Sequence, residues 1–328
     1  MTTLEILKTN LISPIVLAFL LGIIARLLKS ELSLPKDLYA SLSIYLLLAL
    51  GLKGGVELSE SSFQAIAWPA LVTIALGCFT PISAYFLMRK IGRFNQIDAA
   101  ALAAHYGSVS AVTFIAANQF VTSLNASAEG FMPTLVTLLE SPGILVALAI
   151  GAMKREKLLG SSQIVKSKKA LLHEIFTSRS MVLLLGGLLI GFLVGKKAYE
   201  PVKPFFDTGF KGALVLFLLE MGIVAGARFA DLKKVGAALV SLGILIPILH
   251  GSIGVILGTW AGLSVGGATV LGAMAASASY IAAPPAVRMT LPEANPTYYL
   301  TASLAITFPF NLVAGIPLYF KLASYLHS

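Results

Sequence analysis

Ten apolar stretches separated by short polar connections constrain this chain more than any motif within it. They run over about 11–28, 38–56, 64–88, 98–117, 131–153, 181–196, 208–227, 236–260, 264–287 and 297–320. Most are close to the roughly 20 residues that a helix needs to cross hydrocarbon. The runs are continuous rather than alternating, which favours helices over a membrane β-barrel. With 57% hydrophobic and 12% charged residues, against about 25% charged in soluble domains, a soluble enzyme and a disordered tail protein are both excluded. A single cysteine, Cys78, rules out an intrachain disulfide and a four-cysteine metal site. The first run is too long for a cleavable signal, and no small-residue cleavage site follows it. The expected fold is an all-α polytopic membrane protein with ten transmembrane helices.

The net charge of +9 raises the question of nucleic acid, but the Lys and Arg residues lie mostly between apolar runs, where a membrane places them. No nucleic-acid partner is expected. Most of the positive charge falls in the odd-numbered connections, above all in 154–180 with Lys154, Arg155, Lys157, Lys166, Lys168, Lys169 and Arg179. The positive-inside rule then predicts a cytoplasmic 154–180 loop and both termini outside the plasma (inner) membrane. Lys196, Lys197, Lys203 and Lys211 argue the other way. Trp68, Trp260, Tyr298 and Tyr299, near span ends, read as interface anchors.

The chain also repeats itself. Gly51-Leu52-Lys53-Gly54-Gly55 aligns with Gly222-Ile223-Val224-Ala225-Gly226, Ser108-Val109-Ser110 with Ser277-Ala278-Ser279, and Pro142 with Pro309. The separation is nearly constant at about half the chain. A five-span repeat is odd-numbered and must return inverted, the plan of many secondary transporters. The division predicted is 1–153 for the first repeat, 154–180 for a basic linker and 181–328 for the second repeat.

In such proteins the substrate lies near the bilayer midplane between helices that break. The candidate breaks are His105-Tyr106-Gly107-Ser108-Val109-Ser110 and Ser277-Ala278-Ser279-Tyr280, the latter followed by Pro284-Pro285, which cannot donate backbone hydrogen bonds. Gly107, Ser108, Ser110, Ser277, Ser279 and Tyr280 are the predicted substrate-binding residues; half-helix N-termini beside them suit a small oxyanion. Ser108, Ser279, Glu140, Thr307 and Asn311 are the predicted Na⁺ ligands, oxygen donors suited to a hard cation. Pro142, Pro284, Pro285 and Pro309 are the predicted structural breaks. The competing reading of the Ser-x-Ser pairs is that small residues let helices pack closely; their recurrence in both repeats weighs against it. Glu140, before Pro142, is an intramembrane acid, and its alternative placement is near the membrane surface. Glu220 has no acidic counterpart in the first repeat. His105 and His250 lack the convergent carboxylates of a metal site and read more simply as interhelical hydrogen-bond partners. Apart from Na⁺ as the coupling ion, no cofactor or resident metal is expected, and no P-loop for direct use of ATP is present.

The string Ser277-Ala278-Ser279, Pro284-Pro285, Arg288, Pro292-Glu293-Ala294-Asn295-Pro296 resembles the sodium-dependent bicarbonate transporter family, known from cyanobacterial permeases. The likeness extends through Gly51–Gly55, Gly107–Ser110, Ser141-Pro142, Met221-Gly222 and Thr307–Gly315, so it covers essentially all ten spans. The resemblance implies a core domain from the third to fifth and eighth to tenth spans, and a gate domain from the first, second, sixth and seventh. It further implies Na⁺-coupled bicarbonate symport, a homotrimer, and a PII-like adenine-nucleotide-binding regulator on the cytoplasmic face. Tyr280 stands where the family pattern carries an aspartate, and Glu140 where it carries the shorter acid. The 154–180 loop is shorter than in cyanobacterial members.

The chain is therefore expected to be no enzyme but a sodium-driven secondary symporter importing a small oxyanion, most simply bicarbonate, by alternating access. The rivals are a Na⁺/H⁺ antiporter, a Na⁺-coupled organic-anion symporter, a membrane sensor that binds without transporting, and an intramembrane hydrolase using Ser108 with His105 or His250. The hydrolase is disfavoured because Gly107-Ser108-Val109-Ser110-Ala111 lacks the last glycine of a G-x-S-x-G elbow.

Overall fold

The structure, a computed structural model, describes residues 5, 8, 10–159, 173 and 176–328. Of the predicted basic linker, the stretch 160–172 with Lys166, Lys168 and Lys169 lies outside the described residues. Among the described residues every regular element is helical: α1 (Pro14–Leu27), α2 (Lys36–Glu60), α3 (Phe63–Lys90), α4 (Gln96–Tyr106), α5 (Ala111–Ser123), α6 (Met132–Leu159), α7 (Arg179–Tyr199), α8 (Gly209–Arg228), α9 (Leu232–Trp260), α10 (Val265–Ala275), α11 (Ala283–Thr290) and α12 (Pro296–Leu326). Among the described residues seven helical stretches are long and apolar enough to cross a membrane; one of them, Pro204–Trp260, is 57 residues long and holds both α8 and α9. Pro14–Leu27 and Val265–Ala275 are shorter apolar helices. This is a multi-pass membrane protein.

Local chemistry sets where these helices start. Ser13, Ser62, Asn95, Ser110, Ser178 and Ser264 each sit before a helix and accept a first-turn amide with the side chain. Each cap satisfies one of the donors that a helix N-terminus leaves open. Pro14 at the first position of α1 fits the same logic, since its missing N–H costs nothing there.

Packing depends on small residues because lipid tails provide no hydrophobic drive between helices. Gly22 of α1 lies on the backbone of α8 at Leu219 and Gly222, while Gly51 and Gly55 of α2 lie on α7 at Leu184, Gly187 and Leu188. A side chain at any of them would strike backbone rather than a movable group. The 18-residue window in Gln96–Ser123 is 94% buried, whereas that of α7 is 22% buried. The α4–α5 stretch is therefore the interior of the molecule and α7 its periphery. Trp68 and Trp260 meet on the outside with ring centroids 4.9 Å apart and planes tilted by 59°.

Two ties join distant parts of the chain around the interior. Asp98, in the first turn of α4, accepts the Asn295 amide at 2.7 Å just before α12. Glu129, just before α6, accepts the Ser264 amide at 2.6 Å just before α10. Losing the second contact in Glu129→Ala exposes a cap position and removes a negative charge from a helix start. The expected cost is about 1 kcal/mol, read as a lower midpoint of thermal unfolding in detergent, with Glu129→Gln retaining part of the difference.

Candidate functional site

The interior helix breaks twice. α4 ends at Tyr106, and Gly107 closes it with its amide on the Ala103 carbonyl at 2.8 Å. Gly107 then runs directly against Gly143 of α6, so closely that a Cβ on Gly143 would overlap the Gly107 carbonyl. Pro142, one residue earlier, has no amide to donate, yet α6 runs through it as one helix, so the break expected at Pro142 is not seen and the close approach rests on the two glycines. After Ser108 and Val109, Ser110 caps α5 by accepting the Thr113 amide at 3.3 Å.

The second break follows α10. Ser277 Oγ donates to the Met274 carbonyl at 2.7 Å and accepts the Ser110 amide at 2.8 Å. Two residues on, the Ser279 amide donates to the His105 carbonyl at 2.8 Å. The two interruptions are thus stitched to each other by backbone donors, one from each side. Ser279 Oγ accepts the amides of Ala282 and Ala283, both at 3.3 Å. Pro284 and Pro285 have no amide to offer. The start of α11 therefore presents almost no free donor, whereas α5 still has the first-turn amides of Ala111 and Val112. The open backbone donors at this crossing are therefore on α5.

α12 backs the crossing and carries two π-helical segments, Ala302–Thr307 and Asn311–Gly315, on either side of Pro309. Such widened turns recur at functional sites. Pro247 in α9 leaves the Gly243 carbonyl without its helical donor, and Thr307 Oγ1 fills that vacancy at 2.7 Å. The Tyr106 hydroxyl donates in turn to Thr307 Oγ1 at 2.7 Å. Asn311 Nδ2 donates to the Ala276 carbonyl at 2.8 Å, and the Tyr319 hydroxyl lies 2.9 Å from the Pro247 carbonyl and 3.1 Å from Asn311 Oδ1. Thr307 thus ties α12 to α9 and to the end of α4, while Asn311 pins the start of the second break to α12.

Two hydroxyls at the crossing stand apart. Ser108 Oγ is buried and has no hydrogen-bond partner among the described residues. Tyr280 packs edge-on against Phe308 at 5.6 Å, and its hydroxyl is directed at Ser110 without closing a well-formed hydrogen bond. A polar atom buried without a partner costs about 1–3 kcal/mol.

Glu140 lies a turn before Gly143 and is 4% exposed. It faces a cavity of about 350 Å³ between α6, the start of α7 and the start of α11. The Ser180 hydroxyl approaches its carboxyl, yet Oε2 is buried without a partner. Glu220 lies elsewhere, accepting the Leu34 amide at 3.0 Å. His105 Nδ1 is 2.8 Å from the Ala101 carbonyl and its ring stacks on Tyr299. His250 Nε2 is 3.2 Å from Ser83 Oγ. Neither histidine is joined to Ser108. Among the described residues no group of three His, Cys, Asp or Glu side chains is placed to hold a metal ion.

The profile of the Na⁺-dependent bicarbonate transporter superfamily matches residues 14–324, nearly the whole chain. The chain belongs to that superfamily. No curated protein matches it. Membership in the Na⁺-dependent bicarbonate transporter superfamily carries Na⁺ and bicarbonate as the substrates of the family and a transporter in place of an enzyme. Sequence reasoning had marked both breaks but missed Gly143, Tyr106 and Tyr319, which hold them. The Pro142-Gly143 pair was a legible signal for the first of these, since a glycine beside a helix-breaking proline invites a close backbone approach.

Proposed function

We propose that the protein is a Na⁺-driven symporter that imports bicarbonate across the plasma membrane by alternating access. It is read as ten crossings in two inverted five-helix repeats: α1, α2, α3, α4–α5 and α6, then α7, α8, α9, α10–α11 and α12. Support comes from equivalent features that exchange partners. α4 and α10 are each 11 residues long and each ends at a break. The first helix of each repeat packs by glycine on the second helix of the other, Gly22 with Gly222 and Gly187 with Gly51. Ser83 touches His250, and Ser110 of the first break meets Ser277 of the second. Helices of the two repeats meeting around paired breaks are what an inverted-repeat plan produces.

The gate is α1, α2, α7 and α8; the core is the rest. The thinly covered α7 suits the subunit contacts of a homotrimer. In the proposed orientation the 154–180 loop is cytoplasmic and both termini are outside. Bicarbonate takes the Ser108 and Tyr280 hydroxyls and the free amides of α5, while carbonyls released at the two breaks supply oxygen to Na⁺. The observation that carries this reading is the mutual stitching of the breaks, which places an uncommitted hydroxyl and a helix N-terminus together in the interior. Purified protein in liposomes should accumulate labelled bicarbonate when Na⁺ is higher outside, and should lose that uptake when the Na⁺ gradient is collapsed. Uptake indifferent to Na⁺, or none with any small anion, rejects the proposal.

A further inference from the structure

The cavity at Glu140 touches the second break at Ala282 and is otherwise built from parts that the crossing does not use. Glu140 lines it, a side chain more than nine-tenths buried whose Oε2 has no partner among the described residues. Its wall is the start of α7, a helix of 21 residues, with Thr177, Ser178, Arg179 and Ser180 all lining the space. Ser178 accepts the Met181 amide at 3.4 Å, which leaves the amides of Arg179 and Ser180 as the open donors of that first turn. Arg179 is exposed at the mouth, and α11 closes the far side at Pro285.

These parts have opposite preferences. A guanidinium, a helix N-terminus and hydroxyls draw an oxyanion. A buried carboxylate oxygen repels the lone pairs of one and needs a proton donor. A single small ligand satisfies both ends only if it is an anion that still carries a hydrogen. We infer that this cavity is an outer subsite for the transported anion, selective for a protonated oxyanion: the Glu140 carboxylate accepts the ligand's O–H, and Arg179 with the first turn of α7 holds its charged oxygens. The inference rests on the transport reading and deepens it. Bicarbonate has this character; nitrate and formate carry the same charge without an O–H, and would set their lone pairs against Glu140. A site whose buried group requires a ligand hydroxyl rejects analogues lacking it far better than an apolar pocket rejects a size change. The walls come from α6 and α11 on one side and α7 on the other, so the subsite straddles the proposed core–gate seam and delivers the anion toward the break beside Ala282.

The test is Na⁺-driven uptake of labelled bicarbonate into liposomes, at fixed pH, with nitrate as competitor. Arg179→Gln, at an exposed position, should raise KM about tenfold, the effect of one charged hydrogen bond, with little change in kcat. Glu140→Gln offers amide donors in place of the lone acceptor, so nitrate, inert toward the unsubstituted protein, should become an inhibitor. A merely structural role for Glu140 predicts lost uptake but no new inhibition by nitrate. If Glu140→Gln does not yield folded protein, the KM of Arg179→Gln decides alone. Robust uptake with an unchanged KM in Arg179→Gln, or with nitrate still inert in a folded Glu140→Gln, overturns the subsite while leaving the transport reading intact. Absence of uptake by the unsubstituted protein overturns that reading, and this inference with it.

Discussion

Gly143→Ala should abolish uptake and destabilise the protein by about 2–3 kcal/mol, the upper range for overpacking a filled interior. The added methyl would meet the Gly107 carbonyl and Cα rather than a side chain that could turn away. Both partners are held: Gly107 closes α4 on the Ala103 carbonyl, and Gly143 follows Pro142 in α6. Relief therefore requires α4 to separate from α6, which displaces Ser108 and Ser110 together. The measurement is paired, thermal unfolding in detergent and initial rates of bicarbonate uptake in liposomes. Gly186→Ala is the control. A methyl there meets nothing within 4 Å, and in a helix interior Ala is favoured over Gly by up to about 1 kcal/mol. A folded Gly143→Ala protein with normal uptake would mean that the close approach of α4 and α6 is not needed to form the site.

Most of the helical architecture was legible in the sequence because a membrane permits few alternatives. Ten continuous apolar runs announced helices, and the two Ser-x-Ser interruptions announced the breaks, since Gly, Ser and Pro clusters are what remove backbone bonds locally. The use made of each hydroxyl was not legible. Ser108, Ser110, Ser277 and Ser279 look alike in the sequence. In the fold Ser110 and Ser279 accept helix-start amides, Ser277 joins the two breaks, and Ser108 alone is left without a partner. The two caps are local contacts, but the role of Ser277 depends on a residue 167 positions away, which no local spacing encodes. Thr307 and Asn311 repeat the lesson. Oxygen beside Pro309 suggested cation ligands, yet the carbonyl that Thr307 serves is set free by Pro247 on a different helix. Arg179 was read as one more positive charge in a basic connection, and only the fold brings it to the cavity that Glu140 lines.

Ser108→Ala should separate binding from folding in a way that no other serine at the crossing can. Its hydroxyl makes no hydrogen bond among the described residues, so removing it also removes a buried unsatisfied group. The substituted protein should be as stable as the original or slightly more so. Bicarbonate, however, loses a donor at the point where its charge is held, and a hydrogen bond to a charged group contributes about 1.5–3 kcal/mol. Uptake efficiency, kcat/KM, should fall by about tenfold to a hundredfold. Ser277→Ala should behave oppositely in stability: it takes away the acceptor of the Ser110 amide, leaving that buried donor open and loosening the two breaks from each other. Its loss of uptake should therefore come with a lower unfolding temperature. Tyr280→Phe provides the third comparison. It keeps the edge-on packing with Phe308 and removes only the hydroxyl directed at Ser110, so its stability should stay near that of the original while uptake declines. The pattern, rather than any one value, carries the argument. If Ser108→Ala and Tyr280→Phe transport normally while Ser277→Ala alone fails, the crossing is a structural joint and the anion binds elsewhere in the molecule.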